Sequence, residues 1–139
     1  MMEFSRRETL GLALGAAVMT VLPLRVSASA EDRIAEFTGG ADMADTGIEL
    51  IAPEIAENGN TVPIEVNAPG ATAIMVLATG NPTPGVATFT FGPLAGSQAA
   101  ATRIRLAGTQ DVVAIAKLAD GSFAKASASV KVTIGGCGG

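Results

Sequence analysis

The stretch Phe123-Ala124-Lys125-Ala126-Ser127-Ala128-Ser129-Val130-Lys131-Val132-Thr133-Ile134 decides the fold class. Ala126, Ala128, Val130, Val132 and Ile134 fall on one face, and Lys125, Ser127, Ser129, Lys131 and Thr133 fall on the other. A period of two sustained that long belongs to a strand with one face in a core; a helix would repeat every 3.6 residues. Asp120-Gly121 immediately before it is a hairpin turn, and residues 111–119 before that are apolar on both faces.

Working further outward, the same alternation of apolar runs and turn residues continues. Residues 102–106 alternate, with Arg103 and Arg105 on the polar side, and Gly108 breaks the run. Residues 86–92 place Phe89 and Phe91 on one face, after a loop, Gly80-Asn81-Pro82-Thr83-Pro84-Gly85. Residues 72–79 are continuously apolar, which suits a strand buried on both faces. Residues 61–67 alternate through Val62, Ile64 and Val66, behind the turn signal Glu57-Asn58-Gly59-Asn60. Residues 48–52 form one more apolar run, cut by Pro53. About seven strands spaced by turns predict an immunoglobulin-like antiparallel β-sandwich over residues 48–134, with a small closed barrel as the alternative. No tryptophan is available for the core and the sole cysteine rules out an inter-sheet disulfide, so strand count and length carry this expectation.

Upstream, residues 31–47 are acidic and read as an arm or short helix that Gly39-Gly40 would end. Residues 1–30 read as an export signal. Arg6 and Arg7 lie in a polar start, an apolar run follows over residues 10–22, and Ala28-Ser29-Ala30 supplies a small-residue cleavage site. The apolar run is short of the roughly 20 residues that a spanning helix needs. Ser5-Arg6-Arg7-Glu8-Thr9-Leu10 is similar to a twin-arginine signal, the route that moves folded proteins, and so predicts a periplasmic location after cleavage behind Ala30.

Composition excludes much. The chain has 139 residues, a net charge of −4, no histidine, tryptophan or tyrosine, and one cysteine. Without clustered Lys and Arg, nucleic acid is not an expected partner. Without histidine and with one thiol, neither a metal site, a cofactor nor acid–base catalysis near neutrality has an obvious donor set, and no catalytic residue is assigned.

One segment does carry chemistry. The last strand runs into Gly135-Gly136-Cys137-Gly138-Gly139. Glycines have the widest backbone freedom, so Gly135, Gly136, Gly138 and Gly139 predict a flexible arm projecting into solvent, with Cys137 able to extend about 10 Å from Ile134 at the limit of ~3.3–3.6 Å per residue. An unpaired cysteine in an exported chain points to a reactive thiol or intermolecular pairing. No His, cation or helix N-terminus stands beside Cys137 in sequence to activate it. It therefore reads as an attachment point on which other proteins act.

These residues resemble a known family. Lys131-Val132-Thr133-Ile134-Gly135-Gly136-Cys137-Gly138-Gly139 resembles the C-terminus of the SoxY family of thiosulfate-oxidising systems; Pro53-Glu54-Ile55-Ala56-Glu57-Asn58-Gly59-Asn60-Thr61-Val62-Pro63, the stretch from Gly80-Asn81-Pro82 to Phe89, and Thr102-Arg103-Ile104-Arg105-Leu106-Ala107 resemble its other blocks. Thr90, between two phenylalanines, departs from the family's pattern, which often has histidine there. The resemblance implies a periplasmic, non-enzymatic carrier that pairs with a SoxZ-like β-sandwich subunit. It implies that a SoxAX-like haem protein joins thiosulfate to Cys137 as a cysteine S-thiosulfonate, that a SoxB-like hydrolase releases sulfate, and that a sulfane dehydrogenase, where present, oxidises the remaining sulfur. Two other readings stay open: a ubiquitin-like sulfur carrier using the Gly138-Gly139 carboxylate, and a structural sandwich tethered by an intermolecular disulfide through Cys137.

Overall fold

The computed structural model describes residues 29–136. Arg6 and Arg7 of the expected signal, and Cys137, Gly138 and Gly139 of the tail, lie outside the described residues.

The described residues form one helix, α1 (Ala30–Thr38), and nine strands: β1 (Met43–Ala44), β2 (Glu49–Ile51), β3 (Ile55–Ala56), β4 (Val62–Asn67), β5 (Ala71–Ala78), β6 (Gly85–Thr90), β7 (Ala99–Ile104), β8 (Gln110–Leu118) and β9 (Phe123–Val132). The larger sheet runs β1-β9-β8-β5-β6, with β3 also on β9, and the smaller runs β2-β4-β7. Their inner faces close on one core. Val62, Ile64 and Val66 of β4 and Ile104 of β7 meet Ile74 and Val76 of β5, Val112 and Ala114 of β8 and Val130 of β9. Alternating apolar residues of two facing sheets make a β-sandwich.

Seven of these strands correspond to the runs that alternation marks out. The other two, β1 and β3, are two residues each and pair with β9 in parallel: Met43 opposite Phe123 at its start, Ile55 opposite Lys131 and Ala56 opposite Val132 at its end. The sandwich is therefore antiparallel except along the outer edge of β9. It also takes in residues before 48, since β1 already belongs to the larger sheet.

The double burial of β5 and β8 has a specific cause. Their inner residues face the smaller sheet, while Met75, Leu77, Val113 and Ile115, with Phe123 of β9, form a second cluster on the outer face, covered by Ile34 and Phe37 of α1 and by Met43. Phe37 meets Phe123 edge-on, with ring centroids 5.9 Å apart and planes at 67°. That is the arrangement ring quadrupoles favour. The helix is held at its start by a capping box, in which the Asp32 N–H donates to the Ser29 hydroxyl and the Ser29 N–H donates to the Asp32 carboxylate, each at 3.2 Å. Gly39, at φ 65°, ends it in the left-handed conformation that glycine adopts without strain. Cleavage behind Ala30 would take away this cap and the buried Ala30. The one helix among the described residues is nine residues long and lies on the outside of the sandwich, unlike the long central helix of a ubiquitin-like carrier.

Candidate functional site

β9 delivers the tail, and the way it ends sets where the tail begins. Its last residues are held from two sides. On one side, the Lys131 N–H donates to Glu54 O (2.8 Å), the Thr133 N–H to Ala56 O (3.0 Å), and the Gly59 N–H to Ile134 O (2.7 Å). On the other, the Val132 N–H donates to the Thr109 hydroxyl (3.0 Å) and the Gly136 N–H to Leu106 O (2.8 Å). The Leu106 N–H in turn donates to Gly59 O (2.8 Å), so the segment around Gly59, the segment around Leu106 and the tail are joined backbone to backbone.

This junction admits only glycine. A Cβ on Gly59 would stand 2.4 Å from Leu106 O, 2.7 Å from the Gly136 nitrogen and 2.9 Å from Ile134 O. One on Gly135 would stand 2.3 Å from Ala107 O, and one on Gly136 would stand 2.8 Å from Gly59 O. None of the three has positive φ. Glycine is there because another backbone passes where a side chain would be, not because the turn needs a left-handed residue.

The structure thus changes two expectations about the tail. Gly135 and Gly136 do not project from the sandwich as a free arm. Gly136 is half-buried and hydrogen-bonded, because the backbones at Gly59, at Leu106–Ala107 and at Gly135–Gly136 approach one another directly. Ile134, on the core-facing side by alternation, is 64% exposed, because β9 ends at Val132 and the chain turns into the junction. Asn58-Gly59, which reads as a turn, does turn, with the Asn60 N–H donating to the Asn58 side-chain oxygen at 3.0 Å. Its larger part in the structure is to receive the tail.

A buried polar hub supports the Leu106 side of the junction. Asn81 is 7% exposed. Its side-chain N–H donates to Arg105 O (2.9 Å), and its side-chain oxygen accepts from the Ala107 N–H (2.9 Å) and from the Gln110 side-chain N–H (2.8 Å). Gln110 also donates to Gly108 O (3.0 Å) and accepts from the Gly80 N–H (2.9 Å). Asn81 and Gln110 therefore hold residues 105–108 as a fixed wall. Sequence reading places Asn81 in a loop and gives it no part in the site; the only available signal is an Asn between glycine and proline.

No ionisable side chain belongs to the junction formed by Gly59, Leu106, Ala107, Ile134, Gly135 and Gly136. A groove of about 560 Å³ shares no residue with it. That groove borders the outward residues Ile51, Pro63, Glu65, Ala101 and Arg103 of the smaller sheet, and a single carboxylate beside a guanidinium is no acid–base set. Thr90 is exposed at the end of β6 and shares a shallow groove with Arg33, Glu36 and Lys117.

The family described as sulfur oxidation protein SoxY matches residues 34–137. Among solved structures, the sulfur carrier protein SoxY from Chlorobium limicola f thiosulfatophilum is 36% identical, with 78% of this chain and 100% of that chain covered and a TM-score of 0.66. A superoxide reductase (neelaredoxin) from Ignicoccus hospitalis is 16% identical over 63% of this chain and 80% of its own, with a TM-score of 0.55, a likeness of fold alone. No curated protein matches the chain.

Proposed function

The chain belongs to the SoxY family and is a sulfur carrier of sulfur oxidation, and on that premise we propose that it holds thiosulfate-derived sulfur covalently on Cys137 while partner enzymes oxidise and hydrolyse it. The observation that carries the reading is that Cys137, the sole cysteine, directly follows the seated Gly136 at the end of β9. The residues that form the junction, Gly59, Leu106, Ala107, Ile134, Gly135 and Gly136, carry no ionisable side chain. A carrier needs none, because activation comes from the enzyme it visits.

A SoxAX-like haem oxidase removes two electrons as the Cys137 sulfur bonds to the outer sulfur of thiosulfate: Cys–SH + S₂O₃²⁻ → Cys–S–S–SO₃⁻ + H⁺ + 2e⁻. A SoxB-like hydrolase then adds water to the sulfone: Cys–S–S–SO₃⁻ + H₂O → Cys–S–S⁻ + SO₄²⁻ + 2H⁺. A sulfane dehydrogenase, where one accompanies the system, oxidises the sulfur left on the thiol. The carrier contributes position and a covalent hold, a SoxZ-like subunit accompanies it, and the twin-arginine-type start at Arg6 and Arg7 sends it to the periplasm.

Intact-mass measurement after incubation with thiosulfate and the partner oxidase tests this. The carrier gains the mass of one thiosulfate, loses it to reductant, and gains nothing as Cys137→Ser. A chain that forms only a disulfide dimer under every sulfur-donor condition would contradict the proposal.

A further inference from the structure

The glycines of the tail invite one interpretation, freedom of movement, and the geometry points to another. We propose that Gly135 and Gly136 are the docked root of the arm, that Gly59 is the positioning residue that holds them, and that the reach of Cys137 is counted from Gly136.

Three observations converge. First, the Gly136 N–H donates to Leu106 O at 2.8 Å, and the Gly59 N–H donates to Ile134 O at 2.7 Å, so the tail is bonded on both sides of Gly135. Second, the close approach is mutual: a Cβ on Gly59 would stand 2.7 Å from the Gly136 nitrogen, and a Cβ on Gly136 would stand 2.8 Å from Gly59 O. Glycine at 59 lets the Leu106 backbone and the tail close in on the same side, since a Cβ there would stand 2.4 Å from Leu106 O as well as 2.7 Å from the Gly136 nitrogen. Third, the wall against which the root lies is built rather than incidental, since the buried Asn81 side chain fixes Arg105 O and the Ala107 N–H.

The consequence for a carrier is geometric. One residue beyond Gly136 extends about 3.5 Å, against about 10 Å if the arm swung from Ile134. A partner must then receive the end of the sandwich itself, around Gly59, Leu106 and the exposed Ile134, and the thiol arrives along a fixed direction. Holding a reacting group in one direction raises the fraction of productive encounters.

The functional half of this inference rests on the carrier reading above; the docking half does not. On the ¹⁵N-labelled chain, the Gly136 amide exchanges roughly tenfold or more slower than an unstructured glycine. In Gly59→Ala that protection is lost, while the Val113 and Ile115 amides of β8 keep theirs. Should Gly59→Ala fail to fold, Gly135→Ala makes the same test, because the residue beyond β9 can swing out without disturbing the sheets. With thiosulfate and the partner oxidase, the unseated variants raise KM for the carrier about three- to tenfold and leave kcat nearly unchanged, a split that a general loss of folded protein would not produce. A Gly136 amide that exchanges at the unstructured rate in the native chain overturns the docked root. Lost protection with unchanged KM overturns the positioning role of Gly59. Native chain that is never loaded on Cys137, with Gly136 still protected, overturns the carrier reading and the positioning role with it, and leaves the docked root standing.

Discussion

Asn81→Ala removes the hub behind the tail's root, and its cost can be worked from the structure. The side chain is 7% exposed and makes three hydrogen bonds, to Arg105 O, from the Ala107 N–H and from the Gln110 side chain. Each is worth about 0.5–1.5 kcal/mol net, and the backbone partners left behind are shielded from full replacement by water. The sum is about 2–4 kcal/mol, a large part of the ~5–15 kcal/mol that stabilises a domain of this size. In thermal unfolding that amounts to a fall of roughly 10–25 °C. The chain has no tryptophan or tyrosine, so far-ultraviolet circular dichroism in urea is the suitable probe. The midpoint should drop with the slope m unchanged, since the surface exposed on unfolding stays the same. A loss below about 0.5 kcal/mol would mean that residues 105–108 hold their conformation without Asn81, and the account of the wall would be wrong.

Two further perturbations probe the rest of the frame. Phe37→Ala should cost about 1.5–3 kcal/mol, from half-buried apolar area and the edge-on contact with Phe123. It should speed amide exchange in α1 while the inner core stays protected, and a double-mutant cycle with Phe123→Leu should show coupling; additive effects would refute the contact's role. Asp120 is held below its ordinary value of 3.8, first by the Ser122 hydroxyl (2.5 Å) and then by the Ser122 N–H (2.9 Å). A carboxyl depressed in the folded state stabilises at pH above its unfolded value and loses that contribution as pH falls through its folded value. Ser122→Ala should therefore move the Asp120 titration, read by carboxyl ¹³C shift, upward toward 3.8, and an unmoved titration would remove the hydroxyl as the main cause.

Strands long enough to show a period were legible in the sequence, and those that were not fail for a physical reason. β9 announces itself over ten residues, but β1 and β3 are two residues each and exist only because the edge of β9 pairs with them. Local propensity carries no record of a long-range partner. The helix is marked by its acidic first turn and by Gly39, yet its place on the sheet is visible only indirectly, in the double apolarity of β5 and β8. Cys137 was singled out by sequence because it is the sole cysteine and is flanked by glycines, and it lies outside the described residues. The junction was not, because Gly59 lies far upstream and reads locally as half of a turn.

Glycine has two uses, and the two make opposite statements about an arm. It permits motion by widening the allowed backbone region, and it permits contact by vacating the space of a side chain. Sequence alone favours the first in a run ending a chain, because a run of glycines cannot pack by side chains. The second becomes visible only when the opposing surface is known to be backbone too, and here Gly59, Leu106 and Ala107 supply it. A seat made of main chain is specific without being apolar, and the residues that form it carry no ionisable side chain. For a carrier, that combination separates holding the arm from doing its chemistry. The root can be fixed without its seat taking part in any reaction, which leaves activation of a carried group to the enzyme that a carrier visits.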